Sequence, residues 1–279
     1  MKNLRIAITL LLFLAMLGAA AKSVTSPAEV PEPDDRVVVR VMSYNIKHCL
    51  GTDDVLNVQR IANVIKAANP DIVALQEVDR LTTRSQRVDQ AAELGRLTGM
   101  HVRFGKAINY QGGEYGQAIL SRWPIESFDV HQLPTEAGQE QRIAIVATIR
   151  GDQRRPTIVF AGTHLHHADE SLRLPQAVRL ISLMRQYPQP VKLLAGDMNA
   201  RPDSLTMQVI KADWVDLSPP NAHAIPSSNP NRKIDYVMAA KRHAWRLVGW
   251  QVINEPVASD HRPLMVTLEW QGGDSLFIR

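Results

Sequence analysis

Cysteine is almost absent: Cys49 is the only one in 279 residues. An intramolecular disulfide is therefore excluded, which is compatible with thiol avoidance in an exported protein. Cys49 has no partner in the sequence that would lower its pKa, so it reads as a small apolar filler rather than a nucleophile. Internal repeats and low-complexity tracts are missing too, which excludes a solenoid or a propeller. No uninterrupted apolar run reaches the ~20 residues that a membrane-spanning helix needs.

Charge of one sign is also scarce. The formal net charge is +4, and it falls to +2 without Lys2 and Arg5. That bias does not by itself indicate nucleic acid. Arg84, Arg87, Arg103, Lys106, Arg154 and Arg155 are scattered and form no dense basic run. A dinuclear zinc set is missing as well. His164, His166, His167 and Asp169 loosely evoke a His-x-His-x-Asp-His pattern, but the Asp falls one position late and the terminal His is lacking.

What is present begins with a processing signal. Lys2 and Arg5 precede an apolar run from Ile6 to Leu17, and Gly18 to Ala21 offer small residues for cleavage. That order reads as a secretory signal peptide over residues 1–21. Residues 22–35, rich in Pro, Ser and acids, read as a flexible lead-in. One α/β domain then fills 36–270, with 45% apolar residues over the chain to build its core, and 271–279 are left as a C-terminal tail.

Strands are expected at Val37–Tyr44, Ile72–Leu75, His101–Phe104, Gln117–Ser121, Ile143–Ile149, Thr157–Thr163, Val191–Ala195, Ile234–Ala239, Leu247–Ile253 and Leu264–Glu269. Ile61, Val64, Ile65 and Ala68 form a helical stripe that Asn69-Pro70 ends. Val88–Leu97 and Leu172–Met184 are the other expected helices. Many strands are apolar on both faces, as strands covered on both sides are. Two packed sheets with helices outside satisfy this pattern, and a singly layered α/β sheet fits almost as well.

Polar, ligating side chains recur where apolar strands end: Asn45, Gln76-Glu77, His164, and Asp197 with Asn199. Loops at strand ends converge on a rigid scaffold, so chemistry gathers there. A carboxylate at a core edge, such as Glu77, needs either a metal or a partner such as Arg80. Asn45 can offer an amide oxygen to a metal or simply make a turn. Asp197 and Asn199, two apart, would share a face in extended chain and together suit activating a water and holding a phosphoryl oxygen. The alternative is an Asx turn. Near the C-terminus, His261 follows Asp260, and Asp235 is a candidate to fix its tautomer.

The blocks Ser43-Tyr44-Asn45-Ile46, Leu75-Gln76-Glu77-Val78, Gly162-Thr163-His164-Leu165, Gly196-Asp197-Met198-Asn199-Ala200, Ile234-Asp235-Tyr236 and Ser259-Asp260-His261 occur in a telling order. Together they resemble the signature of the endonuclease/exonuclease/phosphatase superfamily, over about Arg36 to Trp270. The resemblance implies a DNase I-like α/β four-layer sandwich, two packed mixed β-sheets flanked by helices, and a divalent-metal phosphoesterase. It implies Glu77 as principal metal ligand, supported by Asn45 and Asp260, whose hard oxygens suit Mg²⁺ or Mn²⁺. It further implies Asp197 at the attacking water or leaving group, Asn199 and His164 on phosphoryl oxygens, and His261, oriented by Asp235, at the phosphorane.

The stretches Asp79-Arg80, Thr83-Arg84-Ser85 and Gly113 to Arg122 are similar to a group of exported bacterial relatives. There Arg84, whose fork suits phosphate, and Tyr115 would line the substrate pocket. Gln117, His166 and Arg262 depart from that group's pattern, and the departures bear on substrate more than on activity.

The expected activity is hydrolysis of phosphodiesters of nucleic acid or a phospholipid head group, in the periplasm or outside the cell, with a phosphate-ester substrate and no obligate protein partner. The alternatives are a phosphomonoesterase on inositol-phosphate-like substrates and a non-catalytic binding module of the same fold.

Overall fold

The computed structural model describes residues 36–242 and 244–272. The expected signal peptide and lead-in, and all of the expected tail except Gln271 and Gly272, lie outside the described residues. Among the described residues no helix is long and apolar enough to cross a membrane.

Each sheet is built around one parallel pair. In the first, β1 (Val37–Asn45) and β2 (Ile72–Arg80) run parallel and are joined by α1 (Val58–Ala68). Helix α1 starts at Asn57, whose side chain accepts the Arg60 N–H, and stops at Asn69 in the left-handed conformation. Helix α2 (Gln90–Thr98) follows β2, and the antiparallel hairpin β3 (His101–Tyr110) and β4 (Gly113–Ser121) returns to pair with β2.

The second sheet opens with β5 (Ile125–Gln132), β6 (Ile143–Ile149) and β7 (Ile158–His164). Strand β7 runs parallel to β8 (Lys192–Asp197), with α3 (Glu170–Gln186) between them. Helix α4 (Leu205–Asp213), the short β9 (Trp214–Asp216) and β10 (Asp235–Ala240) complete that sheet. Strands β11 (Trp245–Val252) and β12 (Leu264–Trp270) return to the first. The orders are β11-β12-β1-β2-β4-β3 and β5-β6-β7-β8-β10-β9.

Three apolar clusters account for strands that are greasy on both faces. Val39, Val41, Ile72, Ala74 and Ile119 of the first sheet meet Ile145, Phe160, Leu193, Ala195 and Val237 of the second between the sheets. The outer face of the first sheet packs Met42, Tyr44, Val73 and Leu75 against Ile61, Ile65 and Leu94 of α1 and α2. The outer face of the second packs Val159, Ala161 and Leu194 against Leu180, Met184, Met207 and Ile210 of α3 and α4. The result is the four-layer α/β sandwich that the resemblance implied, rather than a single sheet. Trp123 and Phe128 pack on the inter-sheet core, and Trp245 is buried edge-on to Trp270.

Candidate active site

The parallel pairs set the site. Because β1 and β2 share a direction, as do β7 and β8, the C-terminal residues of β1, β7 and β8 and the middle of β2 reach the same kind of position. Asn45 stands opposite Gln76, and His164 opposite Asp197. Antiparallel β10 brings its first residue, Asp235, directly opposite Asp197.

Glu77 is aimed by a local irregularity. The β2–β4 register shifts between Leu75 and Val78, and Glu77 lies in the left-handed region at φ 56°. Such a bulge redirects a side chain at a cost that the surrounding sheet must absorb. Glu77 does not pair with Arg80, which bonds Glu114 instead. Its carboxylate accepts from Asn45 Nδ2 at 3.0 Å. Burial raises the Glu77 pKa, the Asn45 hydrogen bond opposes that rise, and the Asp260 charge adds to it.

Asp197 Oδ2 is the hub. It accepts from Asn45 Nδ2 at 3.2 Å, with His164 Nε2 at 3.6 Å and His261 Nε2 at 3.7 Å. Oδ1 accepts the Asn199 N–H at 2.9 Å, which is the Asx turn. Extended geometry therefore stops at Asp197, and Asn199, at φ 47°, does not share its face by strand alternation. The Asn199 amide instead donates to the Leu165 carbonyl at 3.0 Å. Gly196 allows the arrangement, since a Cβ there would collide with the Thr163 carbonyl on β7. Burial and the neighbouring Asp235 charge push the Asp197 carboxyl up to about 7.

His261 Nδ1 lies 2.9 Å from Asp235 Oδ2. Burial alone would lower the His261 pKa, but the Asp235 charge and hydrogen bond, with Asp197 and Asp260 beyond, lift it to about 10. His164 is the opposite case. Burial, then Arg142 and His261, hold it well below its ordinary value, so its ring is neutral.

Asp260 is tied in through the backbone. Ser259 Oγ donates to the Asn45 carbonyl at 2.8 Å, and Ser227 N–H donates to the Asp260 carbonyl at 2.8 Å. Ligand atoms of Asp197, Asp235 and His261 all lie within 4.8 Å of one another, a spacing that can hold a divalent metal. Glu77 and Asp260 add carboxylate oxygens beside this cluster, while Asn45 turns its Nδ2 toward Glu77 and Asp197 and its Oδ1 accepts the Lys47 N–H at 3.1 Å.

A cleft of about 250 Å³ opens at Glu77, lined by Arg84, Tyr110, Tyr115, Glu140, Arg142 and His167 among others. Arg84 and Tyr115 both line this cleft, but the Arg84 fork is not open. Its Nε and Nη2 bond both oxygens of buried Asp79 at 2.7 and 2.8 Å. What Arg84 presents is its flat face, 4.6 Å from the Tyr110 ring and 5.5 Å from Tyr115. Gln117 donates across the sheets to the Ile143 carbonyl, and Arg262 braces the Ser227 carbonyl, so both are structural.

Sequence reasoning overlooked Arg142 and Tyr110, and weighed His167 only within a broken zinc pattern. It searched for strand exits, and Arg142 sits at the entrance to β6. An antiparallel strand enters where its neighbour leaves, so the entrance of β6 lies beside the exit of β7.

A model of the endonuclease/exonuclease/phosphatase family matches residues 42–261. The chain belongs to that family. It is 25% identical over 205 residues to a 5'-tyrosyl-DNA phosphodiesterase of Caenorhabditis elegans, covering 69% of this chain and 52% of that protein. The chain thus spans about half the length of that curated relative. A crystal structure of an endonuclease/exonuclease/phosphatase from Beutenbergia cavernae superposes with TM-score 0.70 at 24% identity, covering 84% of this chain and 72% of the other. The human nocturnin catalytic domain with bound sulfate superposes with TM-score 0.67 at 21% identity, covering 86% and 99%. These two share the fold. Members of this family act as hydrolases on phosphate esters.

Proposed function

We propose that the protein is an exported, divalent-metal-dependent phosphodiesterase that directs water onto the phosphorus of nucleic acid or a phospholipid head group. The observation that carries this reading is the hub at Asp197 Oδ2, where Asn45, His164 and His261 converge from three different strand ends or loops. Export rests on the leader at residues 1–21.

The donor set fits a hard cation. Glu77 and Asp260 are neighbouring carboxylates whose mutual charge is unfavourable, and a divalent ion relieves it. We assign Glu77, Asp260 and Asn45 to hold Mg²⁺ or Mn²⁺. We assign the Asp197–His261–Asp235 cluster to protons, since His261 Nδ1 is already committed to Asp235. When bound, the metal supplies positive charge against that developing on the phosphoryl and leaving oxygens.

The chain's own groups do the rest. Asp197, whose charged form burial disfavours, is a suitably basic carboxylate to take a proton from water. Charged His261 donates from Nε2 to a phosphoryl oxygen, where negative charge accumulates. Neutral His164 and Asn199 hold the other phosphoryl oxygens. Arg84 and Tyr115 line the cleft that receives the remainder of the substrate.

Hydrolysis of bis-p-nitrophenyl phosphate and p-nitrophenyl phosphate, each with Mg²⁺ and with Mn²⁺, tests the reading. Faster turnover of the diester supports it. Turnover of the monoester alone makes the protein a phosphomonoesterase.

A further inference from the structure

A second cleft, of about 400 Å³, opens beside the reaction centre and shares His167 with the first. Asn199 and His167 form its wall nearest that centre, and Arg173, Arg201 and Arg232 supply its charge. Asp203 is the one carboxylate in the lining.

Arginines on a protein surface usually face carboxylates, and here they do not. Among the described residues, Arg201 and Arg232 have no ion-pair or side-chain hydrogen-bond partner. Arg173 is held in place by bonds from Nη1 to the backbone carbonyls of His166 and His167 at 3.1 and 3.2 Å. Its Nε is buried without a partner. Neither carbonyl neutralises its charge. Helix α4 begins at the same cleft, with Ser204 in the lining, but its first turn is already occupied, since the Thr206 N–H donates to Glu170 Oε1 at 2.9 Å and the Met207 N–H to Ser204 Oγ. Three arginines against one carboxylate line this small cleft, and planar guanidinium forks match phosphate.

We infer that this cleft is a second phosphate subsite, and that the substrate carries a further phosphate group beyond the scissile one. This rests on the phosphoesterase reading above and narrows its substrate class. The scissile phosphate sits at Asp197 and Asn199, and the second phosphate reaches Arg173, Arg201 and Arg232 past His167. A diester with no other anion leaves the arginines uncompensated and binds weakly.

The test measures binding, so that it does not depend on turnover. Calorimetric titration of the wild-type protein in chelator compares thymidine 3',5'-bisphosphate with thymidine 5'-monophosphate, and a myo-inositol bisphosphate with a myo-inositol monophosphate. The same titrations follow for Arg201→Ala and Arg232→Ala, both exposed positions. The expected result is at least about tenfold tighter binding of the bisphosphate on one scaffold, with each substitution cutting that preference by about tenfold. The preferred scaffold distinguishes a nucleotide from a polyol source. Equal affinity for mono- and bisphosphates on both scaffolds overturns the subsite, as does a preference that survives both substitutions. Failure of the phosphodiesterase reading shows separately, as absence of metal-dependent hydrolysis of bis-p-nitrophenyl phosphate.

Discussion

Asp235 Oδ2 holds His261 Nδ1 at 2.9 Å, which leaves Nε2 facing Asp197 Oδ2 at 3.7 Å. The ring therefore sits between two carboxylates, one fixing its orientation and one sharing its charge. Burial would otherwise neutralise it. In Asp235→Asn the His261 pKa is expected to fall, with the Asp197 and Asp260 charges left to oppose burial. Diester turnover is expected to drop on the order of 10²-fold. Histidine ring NMR titration of the chelated protein reads the first and steady-state kinetics the second. A ring still charged at pH 8 in the variant contradicts the assignment.

Stability should fall as pH rises. The folded state raises His261 to about 10 and Asp197 to about 7, and raises Glu77 as well. The His261 contribution is complete below its unfolded value of about 6.5 and is lost as pH climbs through about 10. Asp197 acts with the same sign, because its unfavourable ionisation in the folded state sets in between about 4 and 7. At these three groups the folded protein binds more protons than the unfolded chain, whereas the depressed His48, His164 and His166 act with the opposite sign below about pH 6.5, so above that value the His261 loss dominates. In chelator, the melting temperature at about pH 7.5 is expected to exceed that at about pH 9, and Asp235→Asn is expected to flatten the difference. A melting temperature that increases with pH contradicts this.

Glu77 combines a left-handed backbone with a disfavoured buried charge. Glycine adopts φ 56° without strain. Glu77→Gly is therefore expected to raise stability by about 1 kcal/mol while abolishing turnover. Urea denaturation and diester hydrolysis of the same preparation check both halves. A destabilised variant contradicts the strain argument.

Lys233 is buried just before β10, and its Nζ bonds Asp216 at 2.7 Å as well as the Ser218 and Pro219 carbonyls and the Ser218 hydroxyl. It pins the 217–219 segment beside the strand that carries Asp235. Asp216→Ala removes the compensating charge and is expected to cost about 3 kcal/mol. Lys233→Met with Asp216→Ala removes both charges and is expected to recover much of that loss. Denaturant titration of the two variants checks this, and equal destabilisation contradicts it.

The layers were legible because burial on two faces leaves long apolar runs, as in Ile143–Ile149 and Val191–Ala195. The parts overlooked lack that signal. Strand β5 is an edge strand with mostly polar residues, β9 has three residues, and α4 buries only Thr206, Met207 and Ile210. Asn45, His164 and Asp197 were legible as polar groups ending apolar strands, whereas the strand expected to stop before Glu77 continues as β2 to Arg80. The Asx turn at Asn199 was weighed, but the extended alternative left it unsettled. The occupied fork of Arg84 was hidden, because Asp79 lies inside β2 where only its bulged neighbour betrays an irregular strand. The second cleft draws arginines from residues 173, 201 and 232, whose proximity depends on how α3, α4 and the loop before β10 pack.

The central claim, metal-dependent hydrolysis centred on Glu77, is tested most directly by chelation and restoration. Hydrolysis of bis-p-nitrophenyl phosphate is followed in the wild type and in Glu77→Gln, after chelator and after Mg²⁺ or Mn²⁺ is added back. The expected result is wild-type activity lost on chelation and restored by metal, and a Glu77→Gln protein that stays folded but is at least about 10³-fold slower. Wild-type turnover that persists in chelator, or undiminished activity in Glu77→Gln, contradicts the account.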